Sequence, residues 1–339
     1  MNKLNWVDSI KAVCMIAVYL LHSEMYYGTA GVSYGYAVQP FYVNAFFFVS
    51  GYLFFRKYLN QQMLINTNLG GGYWHALKNV FFRLVIPTLL FSTIIYIPKV
   101  LFHSGTAIWR DYFFDVFGGI SYWFTSALAV AQIILLTLLL FRQTYIGFYL
   151  GVTFLLAGLG MHLNLERTSN TAVAFFPWFY KTGLAYTFVM ALGGLYFRYE
   201  GKIDSLMKYG WMGAAFFYVW IIFSTWESHS AKTIGLGGIC NFTGFVSMIC
   251  GIGLLVLLAK QLRYCKWLEF IGHNSIVFYF FSGVMPALWG TIANRIILEK
   301  SYMLTLLVAT ISVLCSYCLT WIIVKYLPFL IDLRKLKCK

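Results

Sequence analysis

Residues 6–26 read WVDSIKAVCMIAVYLLHSEMY, and this stretch decides the fold class. It is mostly apolar, and its length matches the ~20 residues that an α-helix needs to cross the ~30 Å hydrocarbon core of a bilayer. Apolar runs of similar length recur along the rest of the chain, at residues 40–55, 84–102, 123–141, 145–163, 182–197, 209–225, 235–259, 275–293 and 303–327. The sequence therefore predicts an all-α, polytopic integral membrane bundle of about ten transmembrane helices.

The composition points to the same class of protein. Of the 339 residues, 60% are hydrophobic and only 11% are charged, whereas a soluble domain carries about 25% charged residues. So few charges cannot cover a water-facing surface, which excludes an ordinary soluble globule, a disordered chain and a disulfide-rich secreted scaffold. The connections between the apolar runs are too short for a second folded unit. We therefore expect one transmembrane domain over residues 1–339, with no fused soluble domain.

Basic residues are distributed unevenly between the two sets of loops. With a cytoplasmic amino terminus, 17 of the 25 basic residues fall in inner segments, Lys57, Arg83 and Arg334 among them. The outer segments carry Lys99, Arg110, Arg167, Lys181, Lys232, Arg295 and Lys300. By the positive-inside rule, both termini are cytoplasmic and the net charge of +14 mainly sets orientation. We expect a multi-pass protein of the inner or plasma membrane that binds no nucleic acid.

The first apolar run contains ionisable side chains, among them Asp8, Lys11 and His22. Ionisable groups inside a membrane span are costly to bury, so each is a candidate for function. Lys11 and His22 are 11 residues apart, about three helical turns, which would place them on one face roughly 16 Å apart. Two structural explanations stay open: Lys11 could reach the inner headgroups or pair with Asp8, and His22 could be an interfacial histidine.

Five ordered stretches then carry a resemblance. They are NWVDSIK at 5–11 followed by His22-Ser23, FFFVSGYL at 46–53, RLVIP at 83–87, YWF at 122–124 and IGHNS at 271–275. Together they resemble the motifs of the acyltransferase 3 family of integral membrane O-acyltransferases, whose first helix pairs a basic residue with a histidine at this spacing. The resemblance extends over most of the chain.

The resemblance implies transfer of an acyl group, most often acetyl from acetyl-CoA, to a hydroxyl of a surface polysaccharide or lipid-linked glycan. Lys11 in place of arginine is most similar to the fucose and exopolysaccharide O-acetyltransferase branch. The sequence departs from the family pattern at two positions. Val80 stands where many members have the first arginine of R-x-x-R, with Lys78 as a nearby substitute, and Ser282 stands where the family has a second histidine.

Within this family pattern, His22 is expected to deprotonate the acceptor hydroxyl or to be transiently acetylated. Glu24, with Ser23, is expected to orient the imidazole, and Asp8 to orient Lys11. Lys11, Arg83 and Lys78 are expected to bind the phosphates of acetyl-CoA through charge-assisted hydrogen bonds.

Ser50, Trp123 and Asn274 are expected to contribute to the acceptor side of the site, although hydrogen bonding between helices and an interfacial aromatic belt also account for such residues. The remaining histidines have no metal-ligand spacing, so no metal is expected. The expected partners are the glycan acceptor and membrane lipids, and a homo-oligomer stays open. The alternative to an enzyme is a carrier or flippase for a lipid-linked saccharide. A longer donor such as succinyl-CoA is a further possibility.

Overall fold

The computed structural model describes residues 4–28, 38, 41–58, 69–102, 112–141, 145–165, 178–207, 210–230, 242–262, 265–296 and 300–338. Within these ranges the chain forms helices and no strand. The α-helices are α1 (Asn5–Tyr27), α2 (Tyr42–Tyr58), α3 (Leu69–Val80), α4 (Ile86–Phe102), α5 (Trp123–Leu139), α6 (Ile146–Leu165), α7 (Tyr180–Met207), α8 (Gly210–Ser230), α9 (Phe242–Gln261), α10 (Lys266–His273), α11 (Ser275–Phe281), α12 (Val284–Ile296) and α13 (Tyr302–Tyr326). Phe81–Val85 and Phe113–Phe117 are π-helical, and Pro328–Leu330 and Leu333–Cys338 are 3₁₀-helical.

Six helical stretches in the described ranges are long and apolar enough to cross a membrane. They are Asn5–Tyr27, Gly72–Tyr96, Ile146–Leu163, Gly244–Gln261, Ser275–Ile296 and Tyr302–Tyr326. Trp123–Leu139 and Met212–Ile222 are apolar but shorter. The prediction of an all-helical, multi-pass membrane protein is confirmed. The count of ten spans and the cytoplasmic termini stay predictions, and residues 40, 209 and 235–241 of the predicted runs lie outside the described residues.

The third predicted run begins earlier than residue 84. Helix α3 starts at Leu69 and continues through the π-helical segment into α4. Pro87 explains the π-helical turn, because it has no N–H for the carbonyl of Arg83, four residues before it. The N–H of Ile86 instead bonds to the carbonyl of Phe81, five residues before it.

The ninth predicted run, 275–293, is interrupted. Helix α11 ends at Phe281, Ser282 and Gly283 form a turn, and α12 begins at Val284. Pro286 lies in the first turn of α12, where a missing backbone N–H is tolerated. The apolar run is therefore two helices joined by a turn.

The described chain divides into two compact units. The first comprises Met1–Phe46 and Glu200–Lys325, and the second Phe47–Tyr199 and Tyr326–Lys339. The chain passes from the second unit to the first inside α7, where Tyr199 leaves the helical backbone region with φ −116° and ψ 18°. The prediction of a single domain stays a prediction.

Helix α1 lies at the centre of the first unit. It packs against α9, α10, α11 and α12, and it buries apolar and aromatic side chains along its length, including Ile10, Met15 and Tyr19. A span buried by neighbouring helices can hold polar groups away from lipid, as functional membrane helices do.

In the second unit, α2 and α7 approach each other closely through glycine. A Cβ at Gly51 would collide with the backbone of Met190, and a Cβ at Gly193 would collide with the carbonyl of Phe48. Small residues at such crossings let helix backbones meet in a membrane. The ring of Phe47 stacks on Tyr186 beside this crossing, with 4.0 Å between the ring centroids.

Candidate functional site

Helix α1 carries Asp8, Lys11 and His22 on one continuous element, Asn5–Tyr27. Because the helix is unbroken, the spacing of 11 residues corresponds to a rise of about 16 Å and a rotation close to three full turns. Lys11 and His22 therefore project from similar sides of the helix at two depths, as the sequence predicts. Asp8 lies in the first turn, where a negative charge is favourable to the helix dipole.

At the amino-terminal end of α1, Lys11 pairs with Asp8. The Lys11 Nζ lies 3.9 Å from Asp8 Oδ1, and the two side chains are 19% and 11% exposed. This separation makes an ion pair but is longer than an N–H···O hydrogen bond. The i, i+3 pairing that the sequence offers as one explanation for Lys11 is therefore present. At this distance the Lys11 ammonium makes no direct hydrogen bond to the Asp8 carboxylate.

The IGHNS stretch packs against the same end of α1. A Cβ on Gly272 would overlap the carbonyl of Asp8, so only glycine allows α10 to lie this close to α1. The Asn274 Nδ2 donates a hydrogen bond of 2.9 Å to the carbonyl of Phe270, which closes the end of α10. Asn274 thus closes the end of the helix whose Gly272 packs against Asp8. A contact between Asn274 and the acceptor stays a prediction.

At the other end of α1, the His22 Nδ1 lies 2.6 Å from the backbone carbonyl of Ser282. A carbonyl can only accept, so Nδ1 carries the proton, and in a neutral imidazole Nε2 is then the basic nitrogen. One turn earlier, the Tyr19 hydroxyl donates to the carbonyl of Phe278 at 2.8 Å. Two hydrogen bonds from one face of α1 thus hold α11 and the turn after it against the histidine.

Pro286 explains why the Ser282 carbonyl can accept from His22. In a continuous helix that carbonyl would bond to the N–H of residue 286, four positions on, and proline has none. The N–H of Ser282 bonds to Tyr279 rather than to Phe278, which leaves the Phe278 carbonyl to Tyr19. The break between α11 and α12 therefore supplies both acceptors.

The structure gives Ser23 and Glu24 partners other than the imidazole. The Ser23 Oγ donates to the carbonyl of Tyr19 at 2.8 Å, and the Glu24 Oε1 accepts from the Tyr302 hydroxyl at 3.0 Å. Residues two apart on a helix do not face each other, so Glu24 and His22 project differently. The orienting group shown on His22 is the Ser282 carbonyl, which the sequence reasoning did not identify; Pro286 four residues later was the available signal.

The end of α1 beyond His22 is held by side chains from α12 and α13. Asn294 Nδ2 donates to the carbonyl of Tyr26 at 3.1 Å, and Thr305 Oγ1 donates to the carbonyl of Gly28 at 2.9 Å. Gly28 has φ +93°, a conformation that favours glycine. These contacts satisfy carbonyls that a helix end leaves without intrahelical partners.

In the second unit, Arg83 lies in the π-helical segment with its side chain 68% exposed, and its Nε is 3.8 Å from Asp332 Oδ2. Arg334 binds Asp332 through two nitrogens, at 2.8 and 2.6 Å, and donates to Asn79 Oδ1 at 2.6 Å. These bonds from Arg334 hold the pKa of the Asp332 carboxyl below its usual range. The sequence reasoning selected Arg83 but neither Asp332 nor Arg334.

Lys78 is exposed on α3, whereas Val80 is buried. The two positions are two residues apart and do not share a face. The position of the family's first arginine is therefore an apolar packing site here, and Lys78 does not occupy its place in space. Lys78 as a nearby substitute for that arginine in donor binding stays a prediction.

Ser50 and Trp123 also belong to the second unit, and both are half-buried. Trp123 begins α5, and its ring lies 6.3 Å from that of Phe179 and 6.4 Å from that of Tyr186, between centroids. Ser50 directly precedes Gly51 at the crossing of α2 and α7. In the part of the chain that the structure describes, no group of three His, Cys, Asp or Glu side chains is placed to hold a metal ion.

Comparison with known proteins adds one match. The family model described as "Acyltransferase domain" matches residues 4–325. The match includes every residue that the sequence predicted for the site, and it ends before Asp332 and Arg334. Neither the curated proteins nor the solved structures give a match. A match over nearly the whole chain shows that the protein belongs to the acyltransferase 3 family and is a multi-pass membrane protein with an acyltransferase domain.

Proposed function

We propose that the protein is a membrane O-acetyltransferase that moves an acetyl group from acetyl-CoA to a hydroxyl of a surface polysaccharide or lipid-linked glycan. The observation that carries the proposal is the 2.6 Å contact between His22 Nδ1 and the Ser282 carbonyl. It holds one tautomer of the imidazole and makes Nε2 the proton acceptor. A histidine held in this way is a typical general base near neutral pH.

The chemistry follows from that nitrogen. The acceptor hydroxyl transfers its proton to Nε2 while its oxygen attacks the carbonyl carbon of the thioester. The new oxygen–carbon bond forms, the carbon–sulfur bond breaks, and the imidazolium returns the proton to the departing thiolate. In the alternative route Nε2 attacks the thioester carbonyl carbon, the carbon–sulfur bond breaks and CoA leaves as its thiolate. The acceptor oxygen then attacks the acetyl group, the nitrogen–carbon bond breaks, and the hydroxyl proton neutralises the thiolate. Both routes use the same tautomer and the same nitrogen.

Cations account for donor recognition in this proposal. CoA is a polyanion, and Lys11, Arg83 and Lys78 are the predicted partners of its phosphates. Asp8 Oδ1, at 3.9 Å from Lys11 Nζ, is the counter-charge that the structure shows for this side chain. Ser50, Trp123 and Asn274 are the predicted acceptor contacts, and the acceptor class is that of the fucose and exopolysaccharide branch.

The test compares the surface glycans of cells that carry wild-type protein or His22→Ala. Mass analysis should show acetylated glycan only with the wild type, and purified His22→Ala should bind CoA within about twofold of the wild type, because a general base contributes to turnover rather than to donor binding. His75→Ala is the matched control, since His75 is an exposed histidine on α3. Undiminished acetylation by His22→Ala would remove His22 from catalysis.

The same measurement separates the other candidate functions. A carrier or flippase would change how much glycan reaches the surface, without an acyl group that depends on His22. A longer acyl donor would appear as a mass increment other than that of acetyl. Inner-membrane placement can be read from the same cells by fractionation.

A further inference from the structure

The segment after α13 brings a charged cluster to Arg83. Residues 326–339 lie beyond the part of the chain that matches the family model, yet Asp332 and Arg334 from this segment meet Arg83 in the second unit. The part of the cluster that comes from the terminal segment therefore lies outside the acyltransferase domain match.

Arg334 is held in place by three groups. Its guanidinium makes a two-point contact with Asp332, donates to Asn79 Oδ1, and lies 5.6 Å from the centroid of the Phe82 ring. A planar guanidinium held by a carboxylate, an amide and an aromatic ring has little freedom left to lose when an anion binds. The side chain nevertheless remains 38% exposed, so part of its donor edge faces outward.

Two guanidinium groups meet one carboxylate, because Arg83 and Arg334 both approach Asp332 Oδ2. Asp332 is only 11% exposed, whereas Arg83 is 68% exposed. The carboxylate thus lies on the inner side of the cluster, and the two guanidinium groups carry one positive charge more than it can neutralise. Burial, and then the charges of Arg83 and Arg334, lower the pKa of the Lys57 ammonium, which agrees with an excess of positive charge here.

We propose that Arg83 and Arg334 form a phosphate-binding site that Asp332 organises from the inner side. Two arginines that converge on one oxygen, Asp332 Oδ2, have the geometry with which guanidinium groups also bind phosphate oxygens. The charge distribution of the sequence predicts both arginines at the cytoplasmic boundary. There the phosphate can come from the nucleotide part of the acyl donor, which rests on the proposed function, or from a lipid headgroup.

The test measures ligand binding by the Arg334→Gln and Arg83→Gln variants in two arms. In phosphatidylcholine nanodiscs, the affinity for adenosine 3′,5′-bisphosphate is measured by calorimetry. In detergent, retention of phosphatidylglycerol is measured by native mass spectrometry. Each variant should weaken binding about tenfold in one arm, as expected for loss of one charge-assisted contact. Loss in the first arm assigns the nucleotide, and loss in the second assigns the lipid.

Arg198→Gln is the control, because Arg198 is an exposed arginine of the same unit and is predicted on the same side of the membrane. Arg334→Lys keeps the charge without the planar guanidinium and should restore only part of the affinity, and a melting temperature equal to that of the wild type shows that Arg334→Gln is folded. Unchanged binding of both variants in both arms overturns the site. Acetyl transfer by the wild type is measured in the same preparation. If acetyl is transferred but neither variant changes binding, only the phosphate site is overturned. If phosphate binds at the site but no acetyl is transferred, only the proposed function is overturned.

Discussion

At the scale of single residues, a backbone atom determines which nitrogen of the His22 imidazole carries the proton. The Ser282 carbonyl determines which imidazole nitrogen is basic, and that carbonyl is present whatever side chain position 282 carries. The Ser282 hydroxyl donates locally to the carbonyl of Tyr279 at 2.8 Å. Serine at the position of the family's second histidine therefore preserves the contact with His22.

This arrangement predicts different effects for substitutions at Ser282 and at His22. Ser282→Ala should keep acetyl transfer within about fivefold of the wild type, because it removes a local hydrogen bond worth about 1 kcal/mol. His22→Gln should reduce kcat by about 10²- to 10⁴-fold, the usual contribution of a general base. Steady-state kinetics in nanodiscs checks both. A loss in Ser282→Ala as large as in His22→Gln would show that the Ser282 side chain, and not its backbone, matters.

Lys11 should act on the donor rather than on the chemical step. Lys11→Met should raise the KM for acetyl-CoA by about 10- to 100-fold, since a hydrogen bond to a charged group contributes about 1.5–3 kcal/mol, and should change kcat much less. Lys11→Arg, which keeps the charge, should stay close to the wild type. The contrary result is a normal KM in Lys11→Met, which would leave Lys11 as the structural partner of Asp8.

At the scale of elements, the break between α11 and α12 is the feature that builds the site. The apolar run 275–293 is hydrophobic enough to be one span, but Pro286 and the turn at Ser282 and Gly283 interrupt it. The interruption leaves the Phe278 and Ser282 carbonyls available, and Tyr19 and His22 of α1 donate to them. A helix break at membrane depth is tolerated when neighbouring groups satisfy the freed backbone atoms.

Pro286→Ala restores the N–H that competes for the Ser282 carbonyl. We expect acetyl transfer to fall about fivefold, equivalent to about 1 kcal/mol of lost positioning, with an altered pH–rate profile because the imidazole tautomer is less firmly held. Thermal stability should stay equal or rise, because α12 gains a backbone hydrogen bond. A loss of activity that merely follows a loss of stability would speak against positioning by Pro286.

The contact between α10 and α1 gives a stability prediction. Gly272→Ala should destabilise the protein by about 1–3 kcal/mol, because the added methyl group collides with the Asp8 carbonyl and a tight crossing cannot absorb it. Gly283→Ala is the matched control, since a Cβ there meets nothing within 4 Å. Thermal unfolding in detergent compares the two, and equal melting temperatures would contradict the close approach.

At the scale of the whole molecule, charge and hydropathy describe a protein that lies within a bilayer. Six helical stretches within the described ranges are long and apolar enough to span it, and the basic residues predict which loops face the cytoplasm. The first unit holds Asp8, Lys11 and His22 around α1. The second holds Arg83 with the cluster from the terminal segment.

The topology can be tested with reporter fusions. A reporter that is active only outside the cytoplasm should be inactive after Lys339 and active after Lys232, because the positive-inside rule places the carboxyl terminus inside and the loop that contains Lys232 outside. A fluorescent protein that matures only in the cytoplasm should give the opposite pattern. An externally active reporter after Lys339 would contradict the even number of spans.

Much of this protein could be predicted from local sequence. The membrane class, the helical architecture and the common face of Lys11 and His22 follow from composition, from runs of apolar residues and from spacing within one helix, whereas the family follows from the resemblance of five ordered motifs. These properties are readable because hydrophobicity and helical periodicity act over neighbouring residues. The exact interruptions at Phe81–Val85 and at Ser282 were less readable, since proline signals a break without showing which carbonyl it frees.

Only the tertiary structure decided the partners of the site residues. His22 meets a carbonyl 260 positions away, Asp8 meets the backbone of Gly272, and Arg83 meets Asp332 from the terminal segment. A backbone carbonyl has no side-chain signature, and a contact between distant positions depends on how whole helices pack rather than on any local pattern. The sequence alone thus determined that the protein is a helical membrane protein of the acyltransferase 3 family, and the packing of α1 against α11 decided which nitrogen of His22 meets the Ser282 carbonyl.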